Sequence, residues 1–200
     1  NSARSSDEGT RMEPPLSDAE DSAEISLEGS VGSQKLQTEA HYTILYGDTG
    51  HTYETILGPY LVGAKSVTIE DPYIRARHQV ANFVRFCETV VKTPTVKSIK
   101  LITGYDEQTN MAELNDNLDG LKQSLLELDV ELHIDLRKTL HDREIRIDNG
   151  WTVKIGRGLD LYQKPDSWYS IGSSDFSMRP CLETKVDIFK TYFHYNSSFF

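Results

Sequence analysis

From His41 onward the chain alternates apolar and polar positions in short bursts, and each burst has a readable period. Tyr42, Ile44 and Tyr46 alternate with polar residues before Gly47-Asp48, which predicts a strand ending in a turn. A helix is predicted from about Thr52 to Leu61, and the β-branched run Val67-Thr68-Ile69-Glu70 predicts a short strand stopped by Asp71-Pro72. Val80, Phe83, Val84, Cys87, Val90 and Val91 recur at three- and four-residue intervals, so one face of a helix there is core until Pro94 ends it. Ile99 to Ile102 predicts another strand, and Leu114, Leu118, Leu121, Leu125 and Leu128 a second amphipathic helix.

The second half is richer in strand signals. Glu131 to Arg137 places Leu132, Ile134 and Leu136 on one face and Glu131, His133, Asp135 and Arg137 on the other. Arg143 to Ile147, Asn149-Gly150 and Trp151 to Ile155 predict a hairpin with a type I′ turn, in which Asp148 pairs with Trp151, Ile147 with Thr152 and Ile145 with Lys154. Trp168 to Ile171 reads as a final strand, and Pro180 as the opening of a helix with Leu182, Val186 and Phe189 facing inward. Strands alternating with helices predict a three-layer α/β unit.

Composition divides the chain. Residues 1–40 hold no Phe, Tyr, Trp, His or Cys, but eight Ser and nine acidic side chains against Arg4, Arg11 and Lys35. Such a segment buries too little apolar surface to offset its ordering entropy, so it is expected to be a disordered acidic Ser-rich linker, with one globular domain over 41–200. No run approaches the roughly 18 apolar residues of a membrane-spanning helix, and no basic-then-apolar leader opens the chain. A net charge of −10 excludes nucleic-acid or anionic-lipid binding through total charge and leaves only a local basic face. Cys87 and Cys181 lie far apart, each in an apolar helical pattern, which fits reduced thiols in a cytosolic core. A start on linker-like sequence without Met suggests the C-terminal piece of a longer protein.

The first candidate chemistry is His141-Asp142-Arg143 with Asp148. If the strand starts at His141, then His141, Arg143, Ile145 and Ile147 share a face, and imidazole and guanidinium project together. Imidazole can attack phosphorus or move a proton, and guanidinium grips two phosphate oxygens in a fork. The spacing His-x-Arg-x-x-x-x-Asp resembles the His-x-Lys-x-x-x-x-Asp signature of the phospholipase D superfamily. HDREIRIDNGWTVKIGRGLD, with IEDPYIR, NFVRFCE and RPCLETKVDIF, further resembles the phospholipase D-like family found C-terminal to MIT domains, over about residues 41–190. Similar modules occur at the C-termini of bacterial Lon-like ATPases.

The resemblance implies a phospholipase D-like α/β sandwich with a mixed central sheet and helices on both faces. It also implies a homodimer on phosphoinositide-bearing membranes in an ESCRT-linked cytokinesis setting, cytoplasmic and peripheral to the membrane, with an MIT or ATPase domain upstream. Catalysis is not expected. Arg143 stands where the enzymes have Lys, and no second His-x-Lys occurs at His41, His51, His78, His133 or His194. One motif could work only across a dimer axis. That alternative is a dimeric phosphodiesterase or nuclease using His141, or a nucleic-acid module of a defence ATPase.

Other cations extend the candidate anion site. Arg75, Arg77, His78 and Arg85 lie at the start and on the polar face of the Val80 helix, where His78, Asn82 and Arg85 make a stripe opposite the core. Arg75 would sit at the carboxyl edge of the sheet, where α/β folds bind ligands. Lys154, Arg157 and Arg179 are expected to face the same site as Arg143. Gly156-Arg157-Gly158 follows a hairpin rather than opening a helix, so nucleotide binding is rejected. His133 and Asp135 lack a third ligand, and neither metal nor cofactor is expected. The aromatic end, Tyr192, Phe193, Tyr195, Phe199 and Phe200, is expected to dock on the domain rather than enter lipid.

Overall fold

The structure, a computed structural model, describes residues 36–191. Most of the expected linker and the aromatic end lie outside the described residues. The elements are β1 (Ala40–Ile44), α1 (Tyr53–Leu57) running into a 3-10 turn (Gly58–Tyr60), β2 (Ser66–Asp71), α2 (Arg77–Val91), β3 (Ser98–Gly104), α3 (Met111–Leu126), β4 (Glu131–Arg137), β5 (Glu144–Ile147), β6 (Trp151–Ile155) and β7 (Thr184–Lys190). Thr52 starts α1 by accepting the Thr55 N–H at 3.1 Å. Pro59 shortens the expected 52–61 helix, because it lacks an N–H for the α ladder.

The strands form one mixed seven-stranded sheet in the order β1-β7-β6-β5-β2-β3-β4. β2, β3 and β4 are parallel and joined through α2 and α3, while the other neighbours are antiparallel. The fold is thus the mixed α/β class that the sequence implies, although the helices do not flank both faces of the sheet as expected. Both crossovers step in the same direction across the sheet, so right-handed connections put α2 and α3 on one face, and α1 contacts α2. The core lies there, with Ile56, Leu57, Phe83, Phe86, Ile99, Leu101, Leu118, Val153 and Ile188 among its buried side chains. The other face carries Lys100, His133 and Asp135, together with Glu70, Glu144 and Arg146, in which Arg146 Nη1 lies 3.1 Å from Glu70 Oε2 and also bonds Glu144.

Several expectations are corrected. In the hairpin, Ile145 pairs with Val153 and Arg146 with Thr152, one residue away from the expected register. The expected pairing would set buried Ile145 beside exposed Lys154, and a one-residue slip turns every side chain to the wrong face. The turn is also not type I′. Only Gly150, at φ +97°, has positive φ, while the Gly150 N–H donates to Ile147 O at 3.0 Å, a three-residue loop closed by glycine. Asn149 anchors that loop by donating to Tyr60 O and Val62 O at 2.8 and 3.1 Å.

The segment after Pro180 is strand β7, not a helix. Thr184, Val186 and Ile188 are buried at period two, because β7 is sandwiched between β1 and β6 and faces the core along its length. Cys181 therefore sits in an isolated bridge with Tyr162 rather than in a helix. Trp168 to Ile171 is a turn-rich loop with no ladder partner. Finally, His141 to Arg143 precede the strand, which begins at Glu144.

Candidate functional site

The strand directions bring several loops to one edge of the sheet. β2, β3, β4 and β6 end there, and β5 and β7 begin there. Asp71 closes β2, and Arg143 stands just before β5, on the strand antiparallel to it. Arg143 Nε lies 3.4 Å from Asp71 Oδ1, Nη1 donates to Gly156 O at 3.3 Å, and the guanidinium carbon sits 4.4 Å from the Tyr73 ring centroid. Asp71 also accepts the Tyr73 N–H at 2.9 Å. Its carboxyl is buried at 4% exposure, and that burial raises its pKa despite the Tyr73 and Leu159 N–H groups and Arg143, which pull it down.

Gly158 seals this pair. At φ +59° it adopts a left-handed conformation, and a Cβ there would lie 2.1 Å from Asp71 Oδ2 and 3.5 Å from Arg143 Cδ. The Gly156 to Gly158 turn therefore lies directly on the ion pair.

Tyr73 links Arg143 to Arg75, whose guanidinium carbon is 5.8 Å from the same ring and whose Nη1 is 2.7 Å from Asp106 Oδ2. Threonine and arginine contacts hold the Asp106 carboxyl below its ordinary value. Arg75, Arg77, Asp106, Thr109 and Glu113 line an open cleft of about 350 Å³ between the first turns of α2 and α3. Arg77 and His78 are exposed on α2, and among the described residues no ion pair engages either. His141 is exposed in the connection before β5, and Arg157 is exposed beyond β6 with Nε donating to Asp160 O at 3.2 Å. The edge thus gathers Arg75, Arg77, His78, His141, Arg143 and Arg157.

Three expected members do not belong. Arg85 is not on a solvated stripe: Asn82 is buried at 7% exposure, the two side chains hydrogen-bond, and the Arg85 guanidinium packs 3.7 Å from the Phe176 ring centroid. The 163–179 segment covers this flank of α2, which its periodicity could not reveal. Arg179 is buried at 5% and donates to the carbonyls of Gln163, Gly172 and Ser173, with Phe176 stacked 4.5 Å away, so it fastens a loop. Lys154 faces the opposite side of the sheet, 3.5 Å from Glu144 Oε2, because alternation separates it from the core-facing Arg143 side.

Chemically, the edge offers permanent cations and two acids already committed to them. Asp71, Tyr73 and Gly158 were not singled out by the sequence, although Asp71-Pro72 marked the strand end and Gly-x-Gly marked the turn. The Arg143 fork is partly occupied, with Nη1 on Gly156 O and the buried Nε facing Asp71 as an ion pair without a hydrogen bond. Burial pushes the Cys87 thiol well above its ordinary value, so it is no nucleophile. Among the described residues no cluster of three His, Cys, Asp or Glu side chains could hold a metal ion.

The mixed sheet carries His141 and Arg143 of the His-x-Arg-x-x-x-x-Asp segment at this edge and Asp148 at the far end of β5, where it accepts the Lys65 N–H at 2.9 Å, and the family model for the phospholipase D-like domain at the C-terminus of MIT matches residues 50–190. The chain belongs to this family. Its sequence is similar to MIT domain-containing protein 1 of Mus musculus, with 47% identity over 143 residues, covering 70% of this chain and 57% of the relative. The chain therefore spans somewhat more than half the length of that relative.

Proposed function

We propose that this domain is a non-catalytic phospholipase D-like recognition module that binds anionic membrane lipid headgroups, phosphoinositides among them, and acts as a homodimer beside an upstream MIT domain in an ESCRT-linked cytokinesis protein. The observation that carries this reading is the state of Arg143. In the position of the enzymes' lysine stands a guanidinium that stays protonated and is already tied to a buried carboxylate, so it can clamp phosphate but cannot act as an acid. A phosphohistidine mechanism needs one group to attack and another to protonate the leaving oxygen, and His141 supplies a single histidine. Arg77 and His78 support the headgroup reading, since they stand exposed at the same edge and no ion pair among the described residues engages them.

The test pairs binding with turnover. The chain should co-sediment with phosphatidylcholine vesicles containing a phosphoinositide, and Arg77→Glu should weaken this, more at low salt than at high, since each cation near an anionic surface is worth about 1 kcal/mol and is screened over about 8 to 10 Å. No hydrolysis of phosphatidylcholine, a nitrophenyl phosphodiester or single-stranded DNA is expected. Turnover lost in His141→Ala would instead establish the dimeric enzyme.

A further inference from the structure

The loop expected to be a strand exposes three large apolar side chains within four residues. Trp168 is 77% exposed, Tyr169 99% and Ile171 84%. Exposed apolar groups of this size in one short stretch mark an interaction surface. The loop is firmly built. Ser170 N–H donates to Ser167 O at 3.2 Å and Ser173 N–H to Ser170 O at 3.1 Å, making two successive turns. Ser170 Oγ also donates to Ser167 O at 2.7 Å, and Ser173 Oγ to Trp168 O at 3.0 Å. At its base Arg179 donates to the Gly172 and Ser173 carbonyls, and Phe176 is held between the Arg85 and Arg179 guanidinium groups. Its carbonyls at Ser167, Trp168, Ser170, Gly172 and Ser173 therefore have donors inside the protein.

Position decides what this tip meets. The 156–183 excursion leaves β6 and returns to β7 at the edge where Asp71 and Arg143 lie. It also covers Asn82 and Arg85 on α2, and Arg77 and His78 are only one to two helical turns closer to that edge, roughly 6 to 12 Å along the axis. Lys164 is exposed at the foot of the loop. Acids face this surface too: Asp166 and Asp175 at the loop, the latter bound to the Ser177 N–H and hydroxyl at 2.9 and 2.6 Å, and Glu113 and Asp106 in the cleft beside Arg77, with Asp106 paired to Arg75.

We infer that the 167–173 loop is a membrane-insertion element, with Trp168, Tyr169 and Ile171 entering the boundary between headgroups and acyl chains while Arg77, His78 and Lys164 hold anionic headgroups around it. This rests on the lipid reading above. An anionic bilayer is the occupant that suits both halves of the surface. Indole and phenol rings prefer the interface where one end is wet and the other apolar. With donors already on five of the seven loop carbonyls, the backbone strands few polar groups on entering that layer. A protein groove would explain the aromatics but not the cations beside them.

Trp168 reports on its own environment, because the other tryptophan, Trp151, is buried at 7% exposure. The experiment mixes the full chain with phosphatidylcholine vesicles carrying a phosphoinositide, with and without acyl-chain bromination, and records both co-sedimentation and tryptophan emission. Insertion requires a blue shift and bromolipid quenching in wild type, both absent in Trp168→Phe. The double variant Trp168→Ser with Tyr169→Ser should keep the wild-type melting temperature but bind about tenfold more weakly, and its remaining binding should vanish at high salt. Co-sedimentation without a shift in Trp168 emission, or a double variant that binds as wild type, overturns insertion and leaves headgroup binding standing. Absence of co-sedimentation at any salt overturns both.

Discussion

Asp71 and Arg143 hold each other across the junction of β2 and β5, with the acid buried and the base stacked on Tyr73. The pair reinforces the β2–β5 ladder, the seam between the parallel half of the sheet and its antiparallel half. It also defines what the family motif has become in this chain: a cation held by the protein itself.

The pair should leave a signature in the pH dependence of stability. Burial raises the Asp71 carboxyl above its ordinary value of 3.8, so the folded state binds that proton more tightly than the unfolded state. The contribution is fully present below the unfolded value and is lost as pH rises through the folded one. Stability of wild type relative to Asp71→Asn should therefore fall between pH 4 and pH 7, measured by urea unfolding of both proteins. A rise would mean that Arg143 outweighs burial.

Gly158→Ala should be among the most damaging small substitutions in the domain. The left-handed backbone costs about 1 to 2 kcal/mol for an L-residue, and the new methyl would also displace the Asp71 carboxylate, so a loss above about 2 kcal/mol is expected in denaturant unfolding. A loss below about 0.5 kcal/mol would show that the turn shifts freely off the ion pair.

Arg179→Met keeps the volume but removes the donors to Gln163, Gly172 and Ser173. Charged hydrogen bonds contribute about 1.5 to 3 kcal/mol each when lost singly, and a shared donor gives less than their sum, so about 3 kcal/mol is expected. Limited proteolysis should then cut first within 163–178. Unchanged cleavage kinetics would show that Phe176 alone fixes the loop.

What could be read in advance follows the range of the signal. The alternation of β4 comes from residues a few positions apart and stands as read, and the α2 face holds at Val80, Phe83, Cys87 and Val90 but extends to Asn82 and Phe86. Leu182, Val186 and Phe189 mimic a helical spacing, yet Thr184, Val186 and Ile188 already alternate, and only the flanking strands β1 and β6 select the second pattern. The hairpin register was within reach too, since matching Ile145 with Val153 puts apolar side chains on one face. The roles of Asp71 and Arg179 depend on partners from distant segments, and no local pattern distinguishes a buried clamp from a surface cation. The edge location of Arg75, by contrast, follows from Asp71-Pro72 ending a strand.

β1 enters the sheet beside the end of β7, with Ala40 opposite Ile188 and the Lys190 N–H donating to Glu39 at 3.0 Å. The folded chain therefore begins and finishes at one pole, and the Asp71, Arg143 and Trp168 region occupies the other. A flat partner could press on that far pole without meeting the points where β1 begins and β7 finishes.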